Sequence, residues 1–436
     1  MPKKSIQSAI RIVSSEDQAA LRSLLSRRAQ RLDEAERAIK PIVQAVRRQG
    51  DDALLRHAKR WDEYKGTIAN LRVTPEALES AARNVSGSFR TAVREAAKNI
   101  RQFCRMQMPK EWQKNIQPGI RVGQIVRPLE SVGCYVPGGR FPLPSTLLMT
   151  AIPAQVAGVQ RIAVCTPRPV REIFAAAHLL GIDELYTVGG APAIAALAYG
   201  TKLIQPVKKI VGPGSAYVAA AKRLVSRDTG IDFIAGPTEV LLIASEGRAD
   251  WLAADLLAQA EHDADATALL LTPSRKLAVQ VASEVDKQLQ ALPEGSPASI
   301  SLRNNSAIVV VRDLEEAFQI ANRFAPEHLG VPEHKMSAMI QNAGSVFIGP
   351  CSPEAAGDYA VGPNHVLPTG GIPGLRGGLS VLDFVKIISV QQLQLQGLKR
   401  LAPSIITLAR SEGLEAHARS VEIRLKSKNQ KMRETK

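Results

Sequence analysis

Eight short apolar runs at helix-sized intervals constrain this chain more than any other feature. From Val132 the runs SVGCYV, RIAVC, ELYTV and KKIV recur about every 25 residues, the spacing at which a strand, a loop and a crossover helix complete one βα unit. A turn at Gly236 and Pro237 interrupts the rhythm, which restarts with EVLLIA, ATALLLT, SAIVVV and SVFIG. Near-continuous apolar strands alternating with helices predict parallel sheets covered on both faces. Two sets of four predict two similar α/β halves and an internal duplication, visible in the pattern rather than in matched residues.

The flanks differ in texture. Residues 1–115 are rich in Ala, Arg, Glu, Gln and Leu at helical spacing, as in DQAALRSLLSRRAQRLDEAERAIKPIVQAVRRQG, and predict a helical N-terminal segment packed on the α/β core. Pro118 and Gly119 punctuate it. Beyond Asp358 the chain is loop-rich, then amphipathic and helical from about Asp383 to a basic end. Helical tails of this kind dock on partner subunits. The expected architecture is therefore α/β with two doubly wound, incomplete Rossmann-like parallel-sheet domains at 116–236 and 237–380. A helical C-terminal arm follows at 381–436.

Composition narrows the function. Hydrophobic residues at 45% and charged residues at 22% match folded globular proteins rather than disordered ones. No uncharged apolar run reaches about 18 residues, and the start lacks both an apolar h-region and a small-residue cleavage site. The expectation is a cytoplasmic protein without membrane spans. The net charge of +15 invites an anionic partner, but basic residues are spread along the chain, with one run from Arg424 to Lys436. Aromatics make up only 4% and no basic stretch interleaves with stacking residues, so a solvated face explains the charge better than nucleic-acid binding. Cys104, Cys134, Cys165 and Cys351 form no Cys-x-x-Cys pair and read as reduced thiols.

Several constellations could carry chemistry. The Gly-x-Gly-x-x-Gly fingerprint is absent: Gly212-Pro213-Gly214 follows an apolar run and precedes a helical stretch, but position 217 is Tyr. Tyr135-Val136-Pro137-Gly138-Gly139 also follows a strand, and its glycines either permit close approach of a ligand or simply end the strand. Among the histidines, His57, His178 and His334 sit in ordinary surroundings. Gln259 and His262, three apart in DLLAQAEHD, share one face near the end of a predicted helix. With Asp358 in a Gly-bounded loop and His417 on the terminal helix, they make a donor set that zinc accepts, although nothing in one dimension brings the four together. Glu327 and His328, in FAPEHL, are adjacent. They could aim at one ligand from a helix end or a loop, which Pro326 permits, as general base and proton carrier; the alternative is a capping carboxylate beside a surface imidazole.

Together these fragments resemble histidinol dehydrogenase. VGCYVPGG, VGPGSAYVAAAK, TGIDFIAGPTEV, DLLAQAEHD, FAPEHL, GDYAVGPNHVLPT and LSVLDFVK occur in family order from about residue 20 to 425. The resemblance implies a zinc-dependent oxidation of L-histidinol to L-histidine through a retained aldehyde with two NAD+, the last step of histidine biosynthesis. It implies one zinc per subunit held by Gln259, His262, Asp358 and His417, the last supplied across an intertwined homodimer through the exchanged C-terminal arm. It further implies Glu327 as the activator of water and His328 as the proton carrier. Thr238 and Glu412 match substrate contacts alongside His328 and the zinc-ligand positions, with zinc and catalysis in the second domain and the cofactor on the first. Tyr135, Pro192 and Ser215 stand at cofactor contacts. The family usually has Gln and Asn at the last two, so the loss of polar reach predicts NAD+ binding weaker by about 1–3 kcal/mol. Thr238 replaces a common Ser and keeps the hydroxyl. The competing reading is a paralogue that oxidises another polyol or amino alcohol.

Overall fold

A computed structural model describes residues 8–26, 32–138 and 142–426. Gly139 and most of the terminal basic run lie outside them. In chain order the strands are β1 (Arg11–Ser14), β2 (Trp112–Gln117), β3 (Ile120–Pro128), β4 (Ser131–Tyr135), β5 (Arg161–Cys165), β6 (Leu185–Tyr186), β7 (Lys209–Val211), β8 (Gly230–Ile231), β9 (Glu239–Ile243), β10 (Thr267–Thr272), β11 (Ala307–Val310), β12 (His328–Val331), β13 (Ser345–Ile348) and β14 (Val385–Leu393).

The larger of two compact units, Met1–Gln107 with Leu129–Phe384, holds two parallel sheets. The first runs β6-β5-β4-β7-β8 and the second β1-β11-β10-β9-β12-β13. Without its β1 edge the second sheet has the strand order of the first: each begins in the middle, grows to one side, then reverses to the other. That shared order is the structural form of the repeated sequence rhythm. β4 and β9 are central, and every residue in both is buried, as strands covered on two faces must be. Two core clusters flank the second sheet: Leu256, Leu257 and Val281 contribute to one, and Phe318, Phe324 and Leu329 to the other.

The apolar runs become β4–β7, β9–β11 and β13, but each sheet holds strands that the runs do not announce. β8 is two residues long, and β12 is HLGV, a polar start followed by a glycine. β1, inside the stretch expected to be helical, pairs in register with β11, where RIVS supplies β-branched side chains to a half-buried edge.

The smaller unit, Met108–Pro128 with Val385–Lys436, is an antiparallel sheet β14-β3-β2 with the helices Leu395–Ser411 and Glu415–Lys426. The C-terminal arm is therefore not wholly helical: VKIISVQQL pairs with β3 along nine residues. Pro118 and Gly119 form the tight turn between β2 and β3. No helix among the described residues is long and apolar enough to cross a membrane.

One buried ion pair fixes the loop after β7. Gly212 there adopts φ 118, open only to glycine, and a Cβ would stand 2.1 Å from the Tyr135 carbonyl oxygen. Asp232 accepts from the Gly212 N–H at 2.8 Å and pairs with Lys222, whose ammonium also donates to the Gly212 carbonyl at 3.0 Å. Lys222→Met leaves the Asp232 charge buried and unpaired. Chemical denaturation is expected to show a loss of about 3–5 kcal/mol; a loss below about 1 kcal/mol contradicts this role.

Candidate active site

The N-terminal ends of β9 and β12, neighbours in the second sheet, bring together the buried polar side chains of Glu239, Glu327 and His328. The helix Leu314–Phe324 stops at Ala325, whose φ of 47 is left-handed, and Pro326 directs the chain into β12. Glu327 is thus the last loop residue before an interior strand, as Pro326 permits, and His328 is the first residue of that strand, with relative exposures of 6% and 4%. Gly344 lies against this entry, where a Cβ would stand 2.6 Å from the Glu327 carbonyl oxygen.

Hydrogen bonds across the two strand ends lock the pair. Glu327 Oε2 accepts from the Thr238 hydroxyl at 2.5 Å and from the Glu239 N–H at 2.8 Å. His328 Nδ1 donates to the Glu239 carbonyl at 3.2 Å and lies 3.7 Å from Glu327 Oε2. Its Nε2 has no hydrogen-bond partner among the described residues and lies 3.7 Å from Asp358 Oδ1. Burial raises the Glu327 carboxyl above the usual range against the pull of His328, Thr238 and the Glu239 amide. Burial also opposes charge on His328, but the carboxylates of Glu327, Asp358 and Glu354 prevail and push it up to about 10.

Gln259 enters from the last turn of the helix Ala249–Ala260 and is buried. Oriented to satisfy its neighbours, its amide oxygen accepts from the Thr238 hydroxyl and from the Glu239 N–H at 2.9 Å, and its NH2 donates to Glu354 Oε1 at 2.7 Å. The single Thr238 proton therefore faces two acceptors, Glu327 and Gln259. His262 is not on the helix as its spacing suggested: the helix ends at Ala260, and the exposed His262 follows in a turn, its N–H bonded to the Gln259 carbonyl at 3.3 Å. Asp358 is not in a loop. It lies on the short helix Glu354–Tyr359, four residues after Glu354 and on the same face, so the Gln259 contact with Glu354 brings the amide within a helical turn of it.

The Asp358 carboxylate faces the His328 imidazole at 3.7 Å. Burial works against its charge, yet His328, His365 and His262 hold it below the usual range. Three further residues belong to this cluster, two of them without an advance signal. Glu239 is a polar start to an apolar strand; Glu354 is buried and pushed up to about 8 by burial, against the pull of His328. His365 donates from Nδ1 to the Asp358 carbonyl at 2.7 Å; the string NHVLPT held the clue.

The donor set fits a divalent cation: an amide oxygen, an imidazole and a carboxylate. Among the described residues no group of three or more His, Cys, Asp or Glu side chains is arranged to hold a metal ion. Gln259, His262 and Asp358 provide only two side chains of those types. His417 and Glu412 belong to the smaller unit, both exposed, on the helix Glu415–Lys426 and at the end of Leu395–Ser411.

The cofactor candidates gather at the first sheet. Tyr135, at the end of β4, is buried and its hydroxyl accepts from the Gly190 N–H at 3.0 Å. Pro192 is buried in the first turn of the helix Gly190–Tyr199, where a backbone N–H has no helical acceptor, so proline costs this position a side-chain amide and no helical hydrogen bond. Ser215 precedes the helix Ala216–Val225, exposed, with its hydroxyl not engaged in capping.

A family model described as histidinol dehydrogenase matches residues 25–425. Histidinol dehydrogenase of Methanothermobacter thermautotrophicus is 45% identical over 94% of this chain and 98% of its own length. The enzyme of that name from Geobacillus kaustophilus is 47% identical over 90% of this chain and 94% of its own. The crystal structure of histidinol dehydrogenase from Elizabethkingia anophelis aligns with a TM-score of 0.92 at 35% identity, covering 97% of this chain and 99% of that one.

The His328 environment makes a pH prediction. In protein stripped of divalent cations its folded value lies near 10, above the ordinary 6.5, so it contributes stability below pH 6.5 that is lost as the pH rises toward 10. Denaturation of metal-free protein across that range is expected to show the decline, and His328→Gln to flatten it. Equal slopes contradict the assignment.

Proposed function

The chain belongs to the histidinol dehydrogenase family, NAD-dependent oxidoreductases of histidine biosynthesis, and from that premise we propose that it oxidises L-histidinol to L-histidine in two steps with two NAD+ and one zinc ion per subunit. The observation that carries this reading is the buried Glu327–His328 pair beside Gln259 and Asp358.

Gln259, His262 and Asp358, with His417 of the partner subunit, would hold the zinc. When bound, the zinc supplies positive charge and an anchor for the substrate's imidazole and amine, and NAD+ supplies the hydride acceptor. This chain's side chains do the proton work. His328 must be neutral to take the alcohol proton in the first oxidation, and a dication beside Asp358 offsets the carboxylate field that otherwise keeps the imidazole protonated. Glu327, anchored by two donors, takes a proton from the water that adds to the aldehyde in the second. Thr238 and Glu412 complete the substrate contacts. Anchoring through both steps keeps the reactive aldehyde from escaping and trades translational freedom for orientation.

A homodimer with exchanged arms would deliver His417 and Glu412. Its support is the apolar surface of the smaller unit, where Ile387, Leu395, Leu408 and Ile423 are more than half exposed. On the first sheet, Tyr135 and Ser215 would contact NAD+, with Pro192 in the adjacent wall, and the absence of amide side chains at the last two positions predicts weaker cofactor binding rather than loss of turnover. The cytoplasm is the compartment that suits this reaction.

NADH release measured on zinc-loaded protein tests the proposal. Two equivalents per histidinol are expected, with none after chelation; a single equivalent, or turnover that survives chelation, contradicts it. Glu327→Gln is expected to slow aldehyde oxidation by at least about 100-fold while sparing alcohol oxidation more. Equal losses in both steps contradict the division of labour.

A further inference from the structure

The reaction leaves unused a cavity at the opposite edge of the second sheet. The strand order reverses at β9, and the crevice between the C-terminal ends of β9 and β12 is the place where doubly wound sheets take ligands. The catalytic pair occupies the N-terminal ends instead. A cavity of about 300 Å³ fills the crevice, at the lower end of the ~300–1,000 Å³ of small-molecule sites. Leu242, Ala244, Val331 and Phe347 form apolar walls, and the exposed Trp251 lines it with the Arg248 guanidinium 4.8 Å over its ring.

The charge of these walls opposes that of the whole chain. In a protein of net charge +15 the cavity is lined by four carboxylates, Glu246, Asp255, Glu333 and Glu354, against one guanidinium. Glu333 is paired with Lys335 at 2.7 Å. Glu354 is 4% exposed and its Oε2 has no hydrogen-bond partner among the described residues. Asp255 is half-buried with neither hydrogen bond nor ion pair among them, and burial pushes its carboxyl up to about 6. A buried acceptor without a donor costs about 1–3 kcal/mol until something supplies one.

We propose that this crevice is a second ligand site, for a small organic ammonium ion whose apolar body lies among Leu242, Val331 and Phe347 while its N–H groups meet Asp255 and Glu354. An anion meets like charge there, and a neutral apolar molecule leaves Glu354 Oε2 without a donor. The site touches the catalytic centre through one side chain, because the other Glu354 oxygen holds the Gln259 amide.

The test titrates full-length, zinc-loaded protein with 2-phenylethylamine and with its neutral counterpart 2-phenylethanol. Saturating histidinol is present throughout, and binding is followed by calorimetry and by Trp251 fluorescence, with Trp251→Phe as the blank. The amine is expected to bind saturably and at least about tenfold more tightly than the alcohol. Asp255→Asn, with its fold checked by circular dichroism, is expected to weaken amine binding at least about tenfold, and Ala244→Leu to abolish it by filling the space. Equal affinity for amine and alcohol, unchanged binding to Asp255→Asn, or no saturable binding in the presence of histidinol overturns the proposal. None of these readings requires turnover, so they stand apart from the proposed reaction.

Discussion

Glu327, His328 and Gln259 in the candidate active site all hang on the Thr238–Glu239 junction at the start of β9. Its hydroxyl and amide donate to Glu327, its carbonyl accepts from His328, and the same hydroxyl and amide face the Gln259 oxygen. A buried carboxylate tolerates its charge only if donors are fixed around it, and two neighbouring strand ends provide such donors without reorganisation. Glu327 is therefore held before any substrate arrives. Because β12 pairs with β9 in register, the acid/base pair cannot shift along its strand without moving the whole sheet.

The electrostatics follow from crowding. Glu327, Asp358 and Glu354 surround one imidazole in a desolvated space, and the charge on His328 balances them, with His365 and His262 acting on Asp358 as well. A centre built this way carries an excess of negative charge that favours a divalent ion and a cationic amino alcohol together. The same excess extends past Glu354 to Asp255, which is why the crevice at the other edge of the sheet has an acidic lining in a basic protein. The two sheets share one strand order, but the candidate side chains stand at opposite strand ends: Tyr135 closes β4, whereas His328 opens β12.

Much of this was legible in the sequence, unevenly and for physical reasons. Long apolar strands such as β9 and β10 announce themselves because both faces are buried. β12 does not, since a strand that begins with a buried histidine and contains Gly330 matches no apolar template. β14 was hidden because its exposed pattern, iso-leucines among glutamines, belongs as easily to an amphipathic helix. Motif strings point to Glu327, His328, Gln259, His262 and Asp358, but not to all of their local structure: Glu327 ends the loop that Pro326 permits, whereas His328 opens a strand, His262 lies past its helix, and Asp358 lies on one. Glu354 was invisible, because its relation to Asp358 appears only once both are on one helical turn.

The most direct test of this account measures zinc affinity and aldehyde oxidation together in Thr238→Val and Thr238→Ser. If one hydroxyl orders both Gln259 and Glu327, Thr238→Val lowers zinc affinity by about 10–100-fold and slows aldehyde oxidation in the same protein, while Thr238→Ser retains both. A Thr238→Val protein that keeps its zinc affinity and its aldehyde rate would show that the metal side and the acid/base side are held independently, and the central claim would fail.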